Sequence, residues 1–248
     1  MSLLIINADD FGYSTGVNYG IIHSYQHGIL TSTTLMANMP GFDEGVNLAK
    51  ENKGLGVGIH LVLSCGSPLR KDVSSLTDNN GYFHNISFYE KEFSISMDDL
   101  YKEWKAQINK IIESGIEPTH LDSHHHVNSI DAIDKVFIEL AKEYDLPVRN
   151  NFVVPDGIKT TKRFNTTFDS LSTVKEIWKP IEIKNIIQEC KTFETVEAMC
   201  HPGYVDNILL STSSLRDNRA ITTAELQRSN YAKLLAENSI QLGTYNNL

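Results

Sequence analysis

Short apolar runs alternate with amphipathic segments along most of the 248-residue chain. The apolar runs resemble buried strands in length, and they cover residues 3–7, 30–37, 55–63, 118–121, 146–149, 195–200 and 240–245. Between them, apolar residues recur at helical spacing, which predicts helices over 14–26 (capped by Ser14), 43–51, 97–114, 130–144, 181–190 and 222–236. Such alternation predicts parallel β–α–β units in one domain over residues 1–248.

About seven parallel strands favour an open or irregular (β/α) barrel over the regular eightfold barrel. The predicted fold class is therefore α/β. Barrels and open sheets both place their chemistry at the carboxyl ends of parallel strands. Polar side chains that directly follow an apolar run are thus the first candidates for function.

Two long connections interrupt the alternation. Residues 64–96 are rich in turn residues and aromatic side chains, and a long ordered connection inside a compact domain is usually functional. They either form a wall of a substrate cleft or cover exposed core. Residues 150–180 have weak periodicity, which predicts loops and a second lid element.

Composition and charge narrow the class of protein. With 41% hydrophobic and 21% charged residues, the chain is typical of a soluble globular protein. Its formal charge of −9 argues against a nucleic-acid partner, and no apolar run approaches the roughly 18 residues of a membrane helix. The three cysteines are too few and too scattered for a disulfide framework, and the N-terminal apolar run is too short for a signal peptide. Both observations favour a cytoplasmic location over secretion. A homodimer is the default assembly, because symmetric dimers are the commonest oligomers.

Acid, base and ligand-type residues follow several of the apolar runs. These residues are Asp9, Asp10, His60, His124, Arg149 and His201. Because strand ends were assigned from apolar runs alone, the coincidence with chemically useful side chains indicates an active site.

Three consecutive histidines, His124, His125 and His126, follow Asp122 and Ser123. On a strand, alternate side chains point to opposite faces, which would separate His125 from the other two. The simpler alternative is a polar strand end with solvated imidazoles, or a histidine hydrogen-bonded to Asp122. The further ligand-type residues elsewhere in the chain favour a metal site.

One carboxylate and two imidazoles leave coordination positions open for water and substrate. Adjacent side chains on an extended segment point to opposite sides, so one of Asp9 and Asp10 could bind a metal while the other faces the substrate. His201 could act as an acid, and Asp206 either orients it or is a solvated loop residue. Arg149 could keep Asp9 ionised, bind the substrate, or lie on the surface at a strand end.

Five motifs in order, together with the closing Leu-Gly-Thr-Tyr at 242–245, resemble the YdjC-like carbohydrate deacetylase family, which includes chitooligosaccharide deacetylases. The motifs are Asn-Ala-Asp-Asp-Phe-Gly at 7–12, Thr-Ser-Thr-Thr at 31–34, Gly-Ile-His-Leu at 58–61, the segment 118–127 with the three histidines, and Met-Cys-His-Pro-Gly at 199–203. The resemblance covers essentially the whole chain.

The resemblance implies hydrolysis of the N-acetyl group of an acetylated amino sugar, with one divalent metal ion on an irregular (β/α) barrel. Matched residue by residue, the metal ligands would be Asp10, His60 and His124. By analogy with NodB-type polysaccharide deacetylases, Asp9 would be the general base and His201 the general acid. The metal could be zinc, which suits two imidazoles, or magnesium or manganese with water completing the shell.

Other residues in and near the three-histidine segment have different expected roles. Asn128 stands where related sequences often have another histidine, which could change the substrate while preserving the reaction. His120 and Asp122 are expected to orient a ligand imidazole. For His125 and His126 a structural hydrogen-bonded role is favoured over substrate contact.

Two other classes of function remain open at the level of sequence. One is metal-dependent hydrolysis of a phosphoester or cyclic amide, although phosphoryl transfer usually needs two metals and cationic groups. The other is a non-catalytic sugar-binding protein on the same scaffold, which the presence of Asp9, Asp10 and His201 together disfavours.

Overall fold

The computed structural model describes residues 2–169 and 183–248 of the chain. Seven strands form one sheet: β1 (Ser2–Phe11), β2 (Ser32–Leu35), β3 (Gly56–Leu61), β4 (Leu121–Ser123), β5 (Arg163–Asn165), β6 (Thr195–Cys200) and β7 (Ile240–Leu242). The α-helices are α1 (Thr15–His27), α2 (Phe42–Glu51), α3 (Ile86–Tyr89), α4 (Met97–Glu113), α5 (Ile133–Glu143), α6 (Lys184–Thr192), α7 (Asn207–Thr212), α8 (Asp217–Leu226) and α9 (Tyr231–Glu237). None of the described helices is long and apolar enough to span a bilayer.

All the strand pairs of the sheet are parallel, and their order is β4-β3-β2-β1-β6-β5, with β7 also paired to β1. Its two edges are linked by single bridges, because Val148 pairs with both Leu121 and Thr160. Thr160 precedes the edge strand β5, so the sheet is curled into an irregular, partly open barrel, and the predicted α/β fold class is confirmed. The carboxyl ends of its strands meet at one rim.

β1 is the central strand. Its buried apolar residues Leu4, Ile5, Ile6 and Ala8 have no exposed surface, as expected for a parallel strand covered on both faces. Its register with β2 shifts between Ala8 and Phe11. The irregularity brings the acidic pair to the rim.

Most predicted elements agree with the structure to within a few residues. Ser14 caps α1 by accepting a hydrogen bond from the backbone N–H of Val17, and β6 has the predicted bounds. The other end of the chain differs. The single helix predicted over 222–236 is two helices, α8 and α9, and α7 was not predicted at all.

Three further expectations differ from the structure in detail. The three histidines do not extend a strand, because β4 ends at Ser123 and a tight 3₁₀ segment, His124–Ser129, follows. The run at 146–149 makes only isolated bridges through Val148. The segment predicted as loops over 150–180 contains the short strand β5, while residues 170–180 lie outside the described part.

The connection 64–96 covers the core. Val73, Leu76, Phe83 and Tyr89 are buried within the main hydrophobic cluster, and the buried Glu103 of α4 accepts hydrogen bonds from two backbone N–H groups of the connection. The segment therefore chiefly covers the core, as in the second of the two interpretations. Only its first residues reach the cavity described in the next section.

Candidate active site

A cavity of about 410 Å³ opens at the rim where the strands end. Its walls come from six parts of the chain: the ends of β1 and β3 with the residues that follow them, the segments after β4, β5 and β6, and the stretch from the end of α7 into α8. The lining residues are Asp9, Asp10, Tyr13, His60, Ser64, Cys65, His124, His125, His126, Asp169, His201, Thr212, Ser213, Ser214, Leu215 and Arg219. Five of the six predicted site residues are therefore in one cavity, and Arg149 lies beneath it.

Asp10 is held in an unusual backbone conformation. Its φ of 71° lies in the left-handed region, which non-glycine residues adopt rarely and mostly in Asn and Asp. Its two carboxylate oxygens face different partners. Oδ1 lies 2.9 Å from His124 Nδ1 and 3.3 Å from His60 Nε2, whereas Oδ2 accepts a hydrogen bond of 2.6 Å from Arg219 Nη2.

His60 is oriented from behind by a carboxylate. Its Nδ1 lies 2.6 Å from Asp122 Oδ1, and Thr34 donates a hydrogen bond to Asp122 Oδ2. Nε2 consequently faces Asp10 and the cavity, as in carboxylate–histidine–metal arrangements. Burial lowers the pKa of His60, but Asp122 and Asp10 outweigh it and raise the pKa to about 10. The surroundings of this imidazole therefore favour positive charge.

The 3₁₀ turn after β4 brings all three histidines to the cavity. His125 and His126 both have φ of 55°, so the chain turns sharply and the alternation expected of a strand does not apply. Ser64 Oγ lies 2.9 Å from His125 Nδ1, and Asn151 donates a hydrogen bond to His126 Nδ1. Both imidazoles thus have the predicted structural hydrogen bonds and also line the cavity.

Of the two residues expected to orient a ligand imidazole, only one is placed to do so. Asp122 orients His60, as predicted, but His120 touches no candidate ligand: its ring stacks on Tyr245 with centroids 3.8 Å apart. Asn128 is buried and hydrogen-bonded to Ser123 and Asn151. It supports the turn from within and lies outside the cavity lining.

The carboxylate of Asp10 and the imidazoles of His60 and His124 fit one metal ion. One ligand atom from each lies within 4.8 Å of the others. Two ligand atoms at about 2.1 Å from a shared ion lie roughly 3.0–3.4 Å apart, and the observed separations from Asp10 Oδ1 are 2.9 and 3.3 Å.

A second group of three, Asp9, His60 and Asp122, is also compact enough for an ion. Its centre already has a cation, because Arg149 Nη2 lies 2.6 Å from Asp9 and 2.8 Å from Asp122. The group containing Asp10 is therefore the better candidate.

Arg149 has no exposed surface. It makes two hydrogen bonds to the carboxylate of Asp9, of 2.7 and 2.6 Å, and a third to Glu197. Arg149 does not line the cavity, and carboxylates surround its guanidinium, so it is not placed to contact a substrate there. The predicted substrate contact is therefore corrected: Arg149 acts as the ionic partner of Asp9. Burial favours the neutral acid, but Arg149 holds the pKa of Asp9 well below its usual range.

His201 directly follows β6 and lies next to Asp9 across the sheet, because the preceding residues, Cys200 and Ala8, are paired in register. Its Nδ1 lies 2.8 Å from Asp169 Oδ1. Burial lowers the pKa of His201, but the hydrogen bond to Asp169 and the charge of Asp10 raise it overall. Asp206, considered as a partner for His201, instead caps α7 and accepts a hydrogen bond from the backbone N–H of Gly16.

Asp169 and Arg219 are the site residues that sequence reasoning missed. Neither follows an apolar run: Asp169 lies in a weakly patterned segment, and Arg219 precedes the helix predicted to begin at residue 222. Thr34, in contrast, belongs to a motif already singled out. Only the fold brings Asp169 and Arg219 to the rim.

The curled parallel sheet is an α/β fold that this chain shares with solved structures of low sequence identity. A mutant CE4-family pseudoenzyme with restored enzymatic activity superposes with a TM-score of 0.51 over 98% of this chain and 65% of that chain. Their sequence identity is 13%, so this likeness shows the fold alone.

Other similarities extend over nearly the whole chain. The profile of the YdjC-like protein family matches residues 3–240. The carbohydrate deacetylase of Clostridium beijerinckii is 42% identical, over 96% of this chain and 97% of that protein. A crystal structure from Enterococcus faecalis V583, of a protein proposed to cleave cellobiose phosphate, is 31% identical with a TM-score of 0.88, over 99% of this chain and 98% of that chain. The chain belongs to the YdjC-like family, and the predicted membership is confirmed.

Proposed function

We propose that this protein is a metal-dependent hydrolase that removes the N-acetyl group of an acetylated amino sugar and releases acetate. One observation carries the proposal: Asp10, His60 and His124 lie within 4.8 Å of one another, in the same cavity as Asp9 and His201. Relatives about 40% identical over most of the chain are named carbohydrate deacetylases, which supports this substrate class.

Asp10, His60 and His124 would hold one divalent ion, zinc or magnesium. When bound there, such an ion acts as a Lewis acid that polarises a carbonyl and lowers the pKa of water toward about 7. Asp122 keeps His60 Nε2 facing the site, and the imidazoles bind as neutral bases.

Asp9 is the proton acceptor. Arg149 keeps its carboxylate ionised and in a fixed orientation. As the oxygen of water forms a bond to the acetyl carbon, one proton of that water passes to Asp9, and a tetrahedral intermediate results. Each carboxylate oxygen has two lone pairs, so pairing with Arg149 still leaves acceptor capacity.

His201 is the proton donor. The carboxylates of Asp169 and Asp10 raise its pKa, which increases the protonated fraction of the imidazole at a given pH. When the carbon–nitrogen bond breaks, His201 gives its proton to the departing sugar amine, and acetate is the second product. Base and acid therefore act from the ends of two neighbouring strands, β1 and β6, in one cavity.

An acetate-release assay over N-acetylated mono- and disaccharides, with added divalent ions, tests the proposal. A phosphorylated disaccharide belongs in the screen because the Enterococcus protein is described as acting on cellobiose phosphate. Asp9→Asn should bind metal and lose about 10²–10⁴-fold in rate, whereas His124→Ala should lose both metal and activity. His27→Ala, an exposed histidine on α1, is the matched control.

A second measurement is independent of turnover. A divalent ion at 100 times its Kd should stabilise the wild type by about 2.7 kcal/mol, with little effect on His124→Ala. Full metal occupancy in His124→Ala would disprove the ligand assignment. Two bound ions, or hydrolysis of a phosphoester without acetate release, would favour the phosphoesterase alternative, and tight metal-independent sugar binding without turnover would favour a binding protein.

A further inference from the structure

Arg219 is a buried cation in the wall of the cavity. It lies on α8, only 2% of it is exposed, and it lines the same cavity as Asp10 and His201. Its aliphatic stem packs on Gly203 of the His-Pro-Gly segment, where a Cβ atom would lie 3.1 Å from Arg219 Cδ. The glycine therefore leaves room for the arginine beside His201.

Two of its guanidinium nitrogens are accounted for. Nε donates a hydrogen bond to the backbone carbonyl of Leu215, and Nη2 donates to Asp10 Oδ2 at 2.6 Å. The third, Nη1, is buried and has no hydrogen-bond partner within the described residues. A buried donor without a partner is costly, and such groups in native proteins call for an explanation.

The contact with Asp10 has a consequence for the metal site. Since Arg219 engages Oδ2, the other oxygen, Oδ1, faces His60 and His124. A guanidinium contributes charge and a rigid arrangement of donors. The pairing with Arg219 therefore leaves Oδ1 as the oxygen of Asp10 that is presented to the imidazoles.

The free nitrogen has a consequence for the substrate. With Nε and Nη2 engaged, Nη1 is the donor that remains for a molecule in the cavity. The neighbouring Tyr13 leaves this donor available, since its hydroxyl is hydrogen-bonded to Thr212 and only its ring faces the guanidinium, at 5.9 Å.

We propose that Arg219 is both a positioning residue for Asp10, through Nη2, and a substrate-binding residue, through Nη1, which donates a hydrogen bond to an oxygen of the bound sugar. This inference rests on the proposed function. Arg219 is neither the acid nor the base and does not bind the metal, so its roles can be tested separately.

Two substitutions separate the two roles. In Arg219→Lys, a single ammonium can still pair with Asp10 but leaves no second nitrogen for the sugar. We expect the metal Kd to stay within about threefold of wild type and KM to rise roughly tenfold or more. In Arg219→Gln, loss of the support for Asp10 should weaken metal binding by about 10–100-fold. Metal Kd is measured by titration calorimetry, and KM and kcat by acetate release.

Matched substitutions of Arg163, which pairs with Glu189 on the surface, provide the control and should leave both constants unchanged. Wild-type KM in Arg219→Lys would disprove the substrate role. Wild-type metal Kd in Arg219→Gln would disprove the positioning role. Both experiments are interpretable only if the wild type binds metal and releases acetate, so failure of the proposed function is recognised separately.

A third measurement serves if Arg219→Gln does not fold. Deoxy analogues of the N-acetyl sugar, each lacking one hydroxyl, are tested as substrates of wild type and Arg219→Lys. If Nη1 binds one of the sugar hydroxyls, the analogue that lacks this hydroxyl should have a wild-type KM about tenfold higher. The same analogue should show little change in KM with Arg219→Lys. If Nη1 instead binds the acetyl oxygen, removing a hydroxyl should change KM by the same factor in both proteins. Arg219→Lys should still have a higher KM than wild type on every analogue. Equal KM for the two proteins on every analogue would overturn the substrate role.

Discussion

Left-handed backbone conformations at non-glycine residues concentrate around the cavity. Asp10, His125 and His126 all have positive φ and all line it. Each such residue costs about 1–3 kcal/mol and persists only where its surroundings enforce it. Here a side-chain hydrogen bond accompanies each one, from Arg219, Ser64 and Asn151 respectively. The strain is thus coupled to the placement of the functional side chains.

The pairing of His201 with Asp169 predicts a pH effect. Because Asp169 raises the pKa of His201, Asp169→Asn should lower that pKa. An acid must be protonated to act, so the alkaline limb of the profile of kcat/KM against pH should move to lower pH. His201→Ala should cost about 10²–10⁴-fold, and Asp169→Asn less.

Asp206→Asn is the matched control for that experiment. Asp206 caps α7 and does not contact His201, and asparagine is also a good N-cap. Its alkaline limb should coincide with that of the wild type. An unshifted limb in Asp169→Asn would mean that the histidine is not the titrating acid.

At the scale of elements, the C-terminal segment supports the sheet from the end opposite the cavity. β7 pairs with the start of β1, and Tyr245 follows directly. Its hydroxyl donates a 2.5 Å hydrogen bond to Glu197 of β6, and its ring stacks on His120. Glu197 in turn accepts a hydrogen bond from Arg149, so the chain end is connected to Asp9 through buried polar contacts.

Tyr245→Phe isolates the hydroxyl. The ring can still stack, but Glu197 loses one buried donor, and we expect the free energy of unfolding to fall by about 1.5–3 kcal/mol, the range for hydrogen bonds to charged groups. Urea denaturation measures the change. Tyr82→Phe, at an exposed loop tyrosine, should be neutral, and equal stability of the two variants would show that the buried contact contributes nothing.

At the scale of the whole molecule, one buried arginine joins distant strands. Arg149 contacts Asp9 of β1, Asp122 of β4 and Glu197 of β6. All four side chains are buried. The positive charge of Arg149 therefore faces three carboxylates at the centre of the barrel. Without the arginine, these carboxylates would be buried together with no cation between them.

Arg149→Met should destabilise the fold by about 3–5 kcal/mol, the usual range for breaking a buried ion pair. In the wild type, the pKa of Asp9 is lower in the folded than in the unfolded chain. Its contribution to stability is present above the unfolded pKa and is lost as the pH falls. In the variant, unpaired carboxylates bind protons more readily when folded, so part of the lost stability should return as the pH is lowered.

Urea denaturation at several pH values measures both effects. Arg163→Met removes a surface ion pair with Glu189 and should cost at most about 1 kcal/mol. If Arg149→Met and wild type lost stability in parallel on acidification, the buried network would not be the origin of the pH dependence.

Local patterns in the chain were sufficient to predict the class of fold, the approximate bounds of most helices and strands, and the residue types of the site. Buried parallel strands and amphipathic helices have local patterns that a single chain displays directly, and five ordered motifs indicated the family. Asp10, His60 and His124 were candidate site residues because each follows an apolar run, and the family resemblance implied that they are the metal ligands.

The way in which those residues meet could be seen only in the folded chain. The turn at His125 and His126, the burial of Arg149, and the arrival of Asp169 and Arg219 at the rim have no local signal in the sequence. They depend on closure of the sheet, which joins residues as distant as Asp10 and Arg219. Local periodicity records which face of an element is buried, whereas contacts between residues far apart in the chain are set by the packing of all elements together.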